Sequence, residues 1–183
     1  MKTKFIEQKI KYDGAQLKPL YAYTQHKVTG DSIISFVGEC DVSLEHMVDA
    51  EDFIVDAKIQ SQSMLHFIVE VFNQNIFTAV SLQRLLVSIA QNLLLEKKQR
   101  LIRKGDDLYS GSKKLSVSIA SVSTVSAMIH LGLNISNEGT PVETCALSDF
   151  GLDAKQFSLE LMQLFSNEFI SIFEATQKVR PLV

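Results

Sequence analysis

The hydrophobic period of the chain changes between two neighbouring segments, and this change constrains the fold more than any other feature. Residues 64–72 alternate between apolar and polar positions, with His66 and Glu70 on the polar face, which is the pattern of a half-buried strand. Residues 79–98 instead follow the helical period, with an apolar stripe of Leu82, Leu85, Leu86, Ile89 and Leu93. A protein that combines strands with long helices is predicted.

Several short apolar runs separated by turn residues predict the remaining strands. They lie at residues 33–37, where Gly38 closes the run, and at 101–102, 108–109, 115–119 and 127–135, with an edge strand at 17–24. Asp153 and Gln156 resemble a capping box that opens a final helix, whose apolar stripe is Phe157, Leu161, Leu164, Phe165, Phe169 and Ile172. Grouped strands flanked by two long helices predict an α+β domain, a mainly antiparallel sheet with helices on one face.

Composition and charge narrow the classes of function. A chain of 183 residues with 46% apolar composition suits one domain over residues 1–183. The net charge of -3 and scattered basic residues argue against a nucleic-acid partner. Two cysteines without paired spacing, and four histidines without ligand spacing, predict a reducing compartment and argue against a zinc site, and no metal-ligating residues are assigned. The sequence shows no signal peptide and no apolar run of about 20 residues, so a cytoplasmic protein away from membranes is expected.

Residues 103–116 carry the clearest functional signal. They predict a strand, a tight turn and a second strand that Lys114 opens. This segment resembles the catalytic hairpin of biotin protein ligases, which runs K-W-P-N-D-L-Y, a glycine turn, then R-K-I/L-A-G. Residues 132–135 (Gly-Leu-Asn-Ile) are similar to the G-I-N-V strand of those ligases, and residues 146–151 to their A-T-S-L segment plus glycine.

The chain therefore resembles a small prokaryotic family that looks like a distant member of the biotin protein ligase, lipoate ligase and octanoyltransferase superfamily. The resemblance covers about residues 79–165. It implies a biotin/lipoate ligase-like fold of the class II synthetase-like type. It also implies a pocket for a small-molecule substrate, with ATP and magnesium as the cofactors to consider; a homodimer stays open.

Lys114 is the first candidate catalytic residue. In the relatives, the matching lysine meets the carbonyl or phosphate oxygens of an acyl-adenylate, and a fixed ammonium in a water-poor site stabilises such negative charge. Strand alternation is expected to aim Lys114, Ser116 and Ser118 into the cleft, and Leu115, Val117 and Ile119 to the other side. The alternative is a solvated outer strand on which Lys113 is the better exposed cation.

Asp106 and Asp107 are candidate ligand-binding residues. The resemblance places Asp107 at the aspartate of N-D-L-Y and Asp106 at the asparagine. Paired carboxylates suit a magnesium ion, a substrate amine or a ribose hydroxyl. The alternative is turn chemistry, because aspartates in turns accept hydrogen bonds from their own backbone.

His130, Gly132, Asn134 and Cys145 complete the candidate site. Gly132 lets a ligand or a neighbouring strand approach closely, and Asn134 is expected to hydrogen-bond a carbonyl or ribose. Octanoyltransferases have a similar H-G-x-A-L-N strand followed by a cysteine nucleophile, which makes Cys145 a candidate for acyl transfer. The alternative for Cys145 is a small buried side chain.

Two departures from the relatives predict an altered substrate. The arginine-rich loop of the ligases corresponds here to residues 37–41, which acidic residues follow through position 56, and such residues repel phosphates. Val117 also occupies the position of the ligase glycine. The resulting hypothesis is an acyl- or adenylate-handling ligase or acyltransferase; whether it is an enzyme stays open. The rivals are a metabolite-binding protein that uses the same cleft and an interaction protein that uses the sheet edge.

Overall fold

The fold consists of two sheets with helices around them, and the computed structural model describes residues 1–181. The strands are β1 (Lys2–Ile6), β2 (Ser32–Val42), β3 (Ile59–Phe72), β4 (Ile102–Lys104), β5 (Asp107–Ser110), β6 (Lys113–Lys114), β7 (Ser116–Val122) and β8 (Ser126–Asn134). The helices are α1 (Tyr21–His26), α2 (Ala50–Ile54), α3 (Ile76–Glu96) and α4 (Ala154–Thr176). The larger sheet has the order β1-β2-β3-β8-β7 and the smaller one β4-β5-β6. Among the pairings between these strands in the described residues, β1–β2 is parallel and the others are antiparallel, so the predicted α+β class is confirmed.

The two long helices pack on one face of the larger sheet. Helix α3 contacts β7 and β8, while α4 contacts β1 and β2. Each helix begins at a side-chain cap: Asn75 accepts a hydrogen bond from the Thr78 amide at 2.9 Å, and Asp153 accepts one from the Gln156 amide at 2.7 Å. The core between helices and sheet includes Phe67, Leu86, Leu131, Leu133, Phe157 and Phe165. Helices on one face were predicted, and the structure confirms them.

Strand β3 is buried on both faces, so the prediction of a half-buried strand was wrong. His66 is 0% exposed and Glu70 is 3% exposed. The Glu70 carboxylate accepts hydrogen bonds from the Leu20 amide at 2.8 Å and the Ser126 hydroxyl at 2.7 Å. A second apolar cluster, which includes Tyr12, Tyr21, Ile34, Phe36 and Met64, covers this face. The alternation identified the strand but could not reveal the segment that covers it.

Three other sequence-based boundaries need correction. The edge strand expected at residues 17–24 is wrong, because this region contains α1 instead. Gly38 does not end its strand: β2 continues to Val42 through a register shift between Gly38 and Cys40. Leu164 and Ile172, which were assigned to the buried stripe of α4, are each 40% exposed. Leu164 lies beside the stripe, since its neighbour Phe165 is fully buried, and Ile172 follows Phe169, the last residue of α4 that packs against the core.

Helix α3 is long and apolar enough, by length and composition alone, to cross a membrane. The sequence contains no uninterrupted apolar run of this length, so a helix of this kind was not predicted. In the structure α3 packs against the sheet with its buried residues Leu82, Leu86, Val87, Ala90 and Leu94. A buried core helix of a soluble protein can also be this long and this apolar, so length and composition are weak evidence that α3 spans a membrane.

Candidate functional site

A cavity of about 460 Å³ lies on the sheet face opposite α3 and α4. Directly paired residues of an antiparallel sheet share a face. His130 pairs with Ile68 and Asn134 with Met64, and these partners belong to the cluster away from the long helices. The cavity is bordered by the segment before α1, residues 42–60, the β4–β6 sheet, strands β7 and β8, and residues 140–144. A concave pocket at Lys114 that also contains Asp107 and either His130 or Asn134 was expected, and all four residues line this cavity.

Lys114 is held beside Asp107 at the wall of the cavity. Its Nζ lies 2.9 Å from Asp107 Oδ2, and both side chains are partly exposed, at 30% and 23%. The pairing arises because β5 and β6 form a hairpin in which Lys114 is opposite Tyr109, whose hydroxyl also donates to Asp107 at 3.3 Å. Burial raises the pKa of Asp107, although the Lys114 ammonium acts to lower it. The ammonium is therefore fixed in position by the hairpin.

Asp106 lines the cavity but is engaged in a structural role. One carboxylate oxygen lies 3.0 Å from Arg84 Nη1, and the other accepts a hydrogen bond from Gln83 Nε2 at 2.8 Å. Both partners belong to α3, so Asp106 ties the β4–β5 turn to the helix. Gly105 completes this turn with φ +65° and lies against Arg84. These contacts support the alternative in which Asp106 stabilises a turn.

The side chains of β7 point the opposite way from the expectation. Val117 pairs with Gly132 and Ile119 pairs with His130, so Val117 and Ile119 are on the cavity face. The strand pattern is interrupted at Leu115, which is fully buried in the core between β6 and β7. Because of this interruption, Ser116 and Ser118 do not face the same side as Lys114, although they are two and four residues further along the chain. The position of such an interruption cannot be predicted from residue spacing.

Ser116 and Ser118 are among the residues that border the cavity, but their hydroxyls bond to the protein. Ser116 Oγ accepts a hydrogen bond from the Leu108 amide at 2.9 Å. Ser118 Oγ donates to the His130 carbonyl at 2.8 Å and accepts from Gln83 Nε2 at 3.0 Å. These contacts join β7 to its neighbours. Their proposed part in substrate binding stays a prediction.

Gly132 and Asn134 hold the strands around the site. A Cβ on Gly132 would lie 2.8 Å from Met64 Cε and 3.2 Å from Val117 Cγ2, so the glycine permits close packing of neighbouring side chains. Asn134 Nδ2 donates to the carbonyls of Lys114 at 3.3 Å and Cys145 at 3.4 Å. Asn134 thus links β6 to residue 145, and its role toward a ligand stays a prediction.

Cys145 lies behind the Lys114 strand rather than on the cavity wall. Its side chain is buried, with Sγ 3.5 Å from the Lys113 carbonyl. Burial raises the pKa of the thiol, which disfavours the reactive thiolate. Cys145 is therefore a small buried side chain, as the alternative interpretation held, and the structure does not support its role as a nucleophile.

His130 and His66 form a buried pair that the sequence did not predict as a pair. His66 Nδ1 lies 3.0 Å from His130 Nε2, and the Tyr12 ring stacks on His130 with centroids 3.7 Å apart. Burial lowers the pKa of His66 to about 4. The pKa of His130 lies well below its usual value because of burial and the neighbouring His66. Both rings are therefore neutral at pH 7.

Part of the acidic segment at residues 41–56 lines the cavity. Asp49, Glu51 and Asp52 line the cavity from the start of α2, which Asp49 caps by accepting from the Glu51 amide at 2.8 Å. Burial raises the pKa of Asp52, while the charge of Lys114 acts to lower it. Residues 1–181 contain no cluster of three or more potential metal-ligating side chains.

The fold and this cavity define a protein with the architecture of biotin and lipoate ligases. A variant of the biotin protein ligase of Aquifex aeolicus in complex with biotin has a TM-score of 0.63 at 13% identity, covering 95% of this chain and 72% of that one. Lipoate-protein ligase A bound with ATP has a TM-score of 0.60 at 15% identity, covering 91% and 85%. The TM-scores show a shared fold, and at such low sequence identity they show the fold alone. The predicted ligase-like architecture is confirmed.

The chain belongs to the family described as Domain of unknown function (DUF366), whose model matches residues 1–180. It is 35% identical over 186 residues to Uncharacterized protein MJ0805 of Methanocaldococcus jannaschii, covering 98% of this chain and 84% of that protein. It is also similar to a solved protein of unknown function from Pyrococcus horikoshi, with 36% identity and a TM-score of 0.96. That match covers 100% of this chain and 99% of the other.

Proposed function

We propose that this protein handles an acyl or acyl-adenylate compound as a ligase-like or acyltransferase-like enzyme, with Lys114 as its active-site lysine. The observation that carries the proposal is the Lys114 ammonium, held 2.9 Å from Asp107 at the wall of a cavity of about 460 Å³. A fixed cation stabilises the negative charge that develops on oxygen during acyl transfer. Structures with the same fold contain biotin, a carboxylic acid, or ATP, which supports a substrate of this class.

The charges around the cavity favour a substrate other than those of the ligases. Five carboxylates (Asp49, Glu51, Asp52, Asp106 and Asp107) border the cavity, against two lysines (Lys58 and Lys114). Phosphate groups are repelled by carboxylates at short range. An acyl compound that carries little negative charge therefore suits the cavity better than a nucleotide triphosphate.

The alternative is a non-catalytic metabolite-binding protein that uses the same cavity. This alternative is favoured because the nearby nucleophilic side chains are not available to a substrate. The Ser116 and Ser118 hydroxyls form hydrogen bonds within the protein, and Cys145 does not line the cavity. Binding without turnover distinguishes this alternative from the enzyme.

The expected result of Lys114→Met is the loss of ligand-dependent stabilisation. Thermal unfolding is measured with ATP, octanoyl-adenylate, biotin and octanoate, and a compound that binds the folded protein raises the midpoint. Removing the cation should weaken binding of an anionic ligand by about tenfold or more, because a hydrogen bond to a charged group contributes roughly 1.5–3 kcal/mol. Mass spectrometry of the same mixtures detects any product.

Lys113→Met is the matched control, because Lys113 is the exposed neighbour on the same strand and does not line the cavity. This variant should keep the full ligand-dependent shift. Equal losses in both variants, or a shift that survives Lys114→Met, contradict the assignment of Lys114. A shift without product supports the binding protein.

A further inference from the structure

A buried polar cluster at the cavity has no part in the roles described so far. It consists of Tyr12, His66 and His130, which are 3%, 0% and 3% exposed. Tyr12 and His130 line the cavity, and His66 lies behind His130. The Tyr12 ring is nearly parallel to His130, at 9°, and also stacks on His66 with centroids 5.1 Å apart. The cluster is rigid, and its polar atoms have fixed positions.

The hydrogen bonds define which nitrogen of each imidazole carries the proton. His66 Nε2 lies 3.4 Å from the Gly38 carbonyl oxygen, which can only accept, so Nε2 is the protonated nitrogen of neutral His66. His66 Nδ1 is then an acceptor, and His130 Nε2 donates to it across 3.0 Å. Neutral His130 is left with a lone pair on Nδ1.

Two polar groups of the cluster remain available to a ligand. In the part of the chain that the structure describes, neither His130 Nδ1 nor the Tyr12 hydroxyl makes a hydrogen bond to the protein, and neither is among the fully enclosed unpaired atoms. Both residues line the cavity, so a ligand there that hydrogen-bonds to both groups gains affinity. His130 Nδ1 can only accept, whereas the Tyr12 hydroxyl can donate.

The environment of these two groups excludes a charged ligand group. A carboxylate has no proton to donate to the lone pair of His130, and an ammonium has no lone pair to accept the hydrogen bond that the Tyr12 hydroxyl donates. Transferring an unpaired charge from water to such a site is costly. A neutral group that combines a donor with an acceptor meets both requirements.

We propose that Tyr12 and His130 bind an uncharged carboxamide-type group of the ligand, whose N–H donates to His130 Nδ1 and whose carbonyl accepts from the Tyr12 hydroxyl. His66 is a positioning residue, because it fixes the tautomer of His130. The assignment rests on the proposed function and deepens it, since it concerns the same cavity and names a second group of the substrate besides the reacting acyl group.

Benzamide, benzoate and benzylammonium test this assignment, because they have similar shapes and differ in charge. Their binding is followed by two-dimensional NMR titration of the Lys114→Met protein, in which the lysine cannot retain benzoate. Benzamide should bind about tenfold or more tightly than either ion and should shift the imidazole nitrogen resonance of His130. Tighter binding of benzoate or benzylammonium overturns the assignment.

Tyr12→Phe removes the hydroxyl and keeps the stacked ring. It should weaken benzamide binding about fivefold, the effect of one hydrogen bond. Tyr21→Phe is the matched control, because Tyr21 is buried in the same apolar cluster but does not line the cavity. Equal affinities in Tyr12→Phe and Tyr21→Phe overturn the assignment. Neither outcome depends on Lys114, so failure here is distinguishable from failure of the proposed enzyme activity.

Discussion

Lowering the pH from 7 to 5 is expected to destabilise the protein markedly. Burial holds the pKa of His66 at about 4, below its ordinary value of 6.5, so the unfolded chain binds more protons in this range. Stability contributed by the neutral ring is present above pH 6.5 and is lost as the pH falls toward 4. His66 alone should account for a loss of about 2 kcal/mol in the free energy of unfolding between pH 7 and pH 5.

His130 acts in the same direction, because burial and the neighbouring His66 hold its pKa well below the usual value. Asp52 and Asp107 act in the opposite direction, since burial raises the pKa of each carboxyl. Urea unfolding at the two pH values measures the net effect. The double variant His66→Leu, His130→Leu should lose most of the pH dependence.

His26→Gln is the control for this measurement. The pKa of His26 is also lowered by partial burial and by Lys4, but the residue lies outside the stacked cluster. This variant should retain most of the pH dependence of the wild-type protein. A wild-type protein with equal stability at pH 7 and pH 5 contradicts a neutral, buried histidine pair.

Gly38→Ala is expected to destabilise the fold by about 3 kcal/mol or more, at the upper end of the range for overpacked positions. A Cβ on Gly38 would lie 1.8 Å from the Ile10 carbonyl oxygen, so the backbone of one segment must move. The displaced segment pairs with β2, where Tyr12 N donates to the Glu39 carbonyl at 2.8 Å. The substitution should therefore also displace Tyr12 from His130, which aromatic NMR shifts can report.

Gly132→Ala is the matched control, because its new Cβ would first meet the flexible end of Met64, at 2.8 Å. Its loss of stability, measured by urea unfolding, should be clearly smaller than that of Gly38→Ala. Similar losses for the two variants would show that the close approach of the Ile10 backbone to Gly38 does not constrain the fold.

Local patterns predicted the hairpin and the two long helices well, because the residues that form them are close in sequence. Residues 103–116 contain the turn glycines Gly105 and Gly111, which separate the closely spaced strands β4 to β6. Helix α3 follows from its 3.6-residue apolar stripe, and the capping of α4 by Asp153 follows from a single side chain. Lys114 and Asp107 were therefore predictable as neighbours.

The rest of the site depends on contacts between distant segments. Tyr12 reaches His66 and His130 only because residues 10–12 lie along β2, and nothing in residues 17–24 distinguishes the short α1 from an edge strand. The acidic residues of α2 were visible in the sequence, but their place at the cavity depends on how β2 and β3 are joined. The interruption at the buried Leu115 likewise changed which side chains of β7 face the cavity.

The most direct test is a crystal structure with a non-hydrolysable octanoyl-sulfamoyl analogue of an acyl-adenylate. The expected result is a ligand in the cavity with a carbonyl or sulfamoyl oxygen within about 3 Å of Lys114 Nζ, the distance of a charge-assisted hydrogen bond. A ligand bound elsewhere, or one in the cavity whose polar atoms stay away from Lys114, would contradict the proposed role of this lysine.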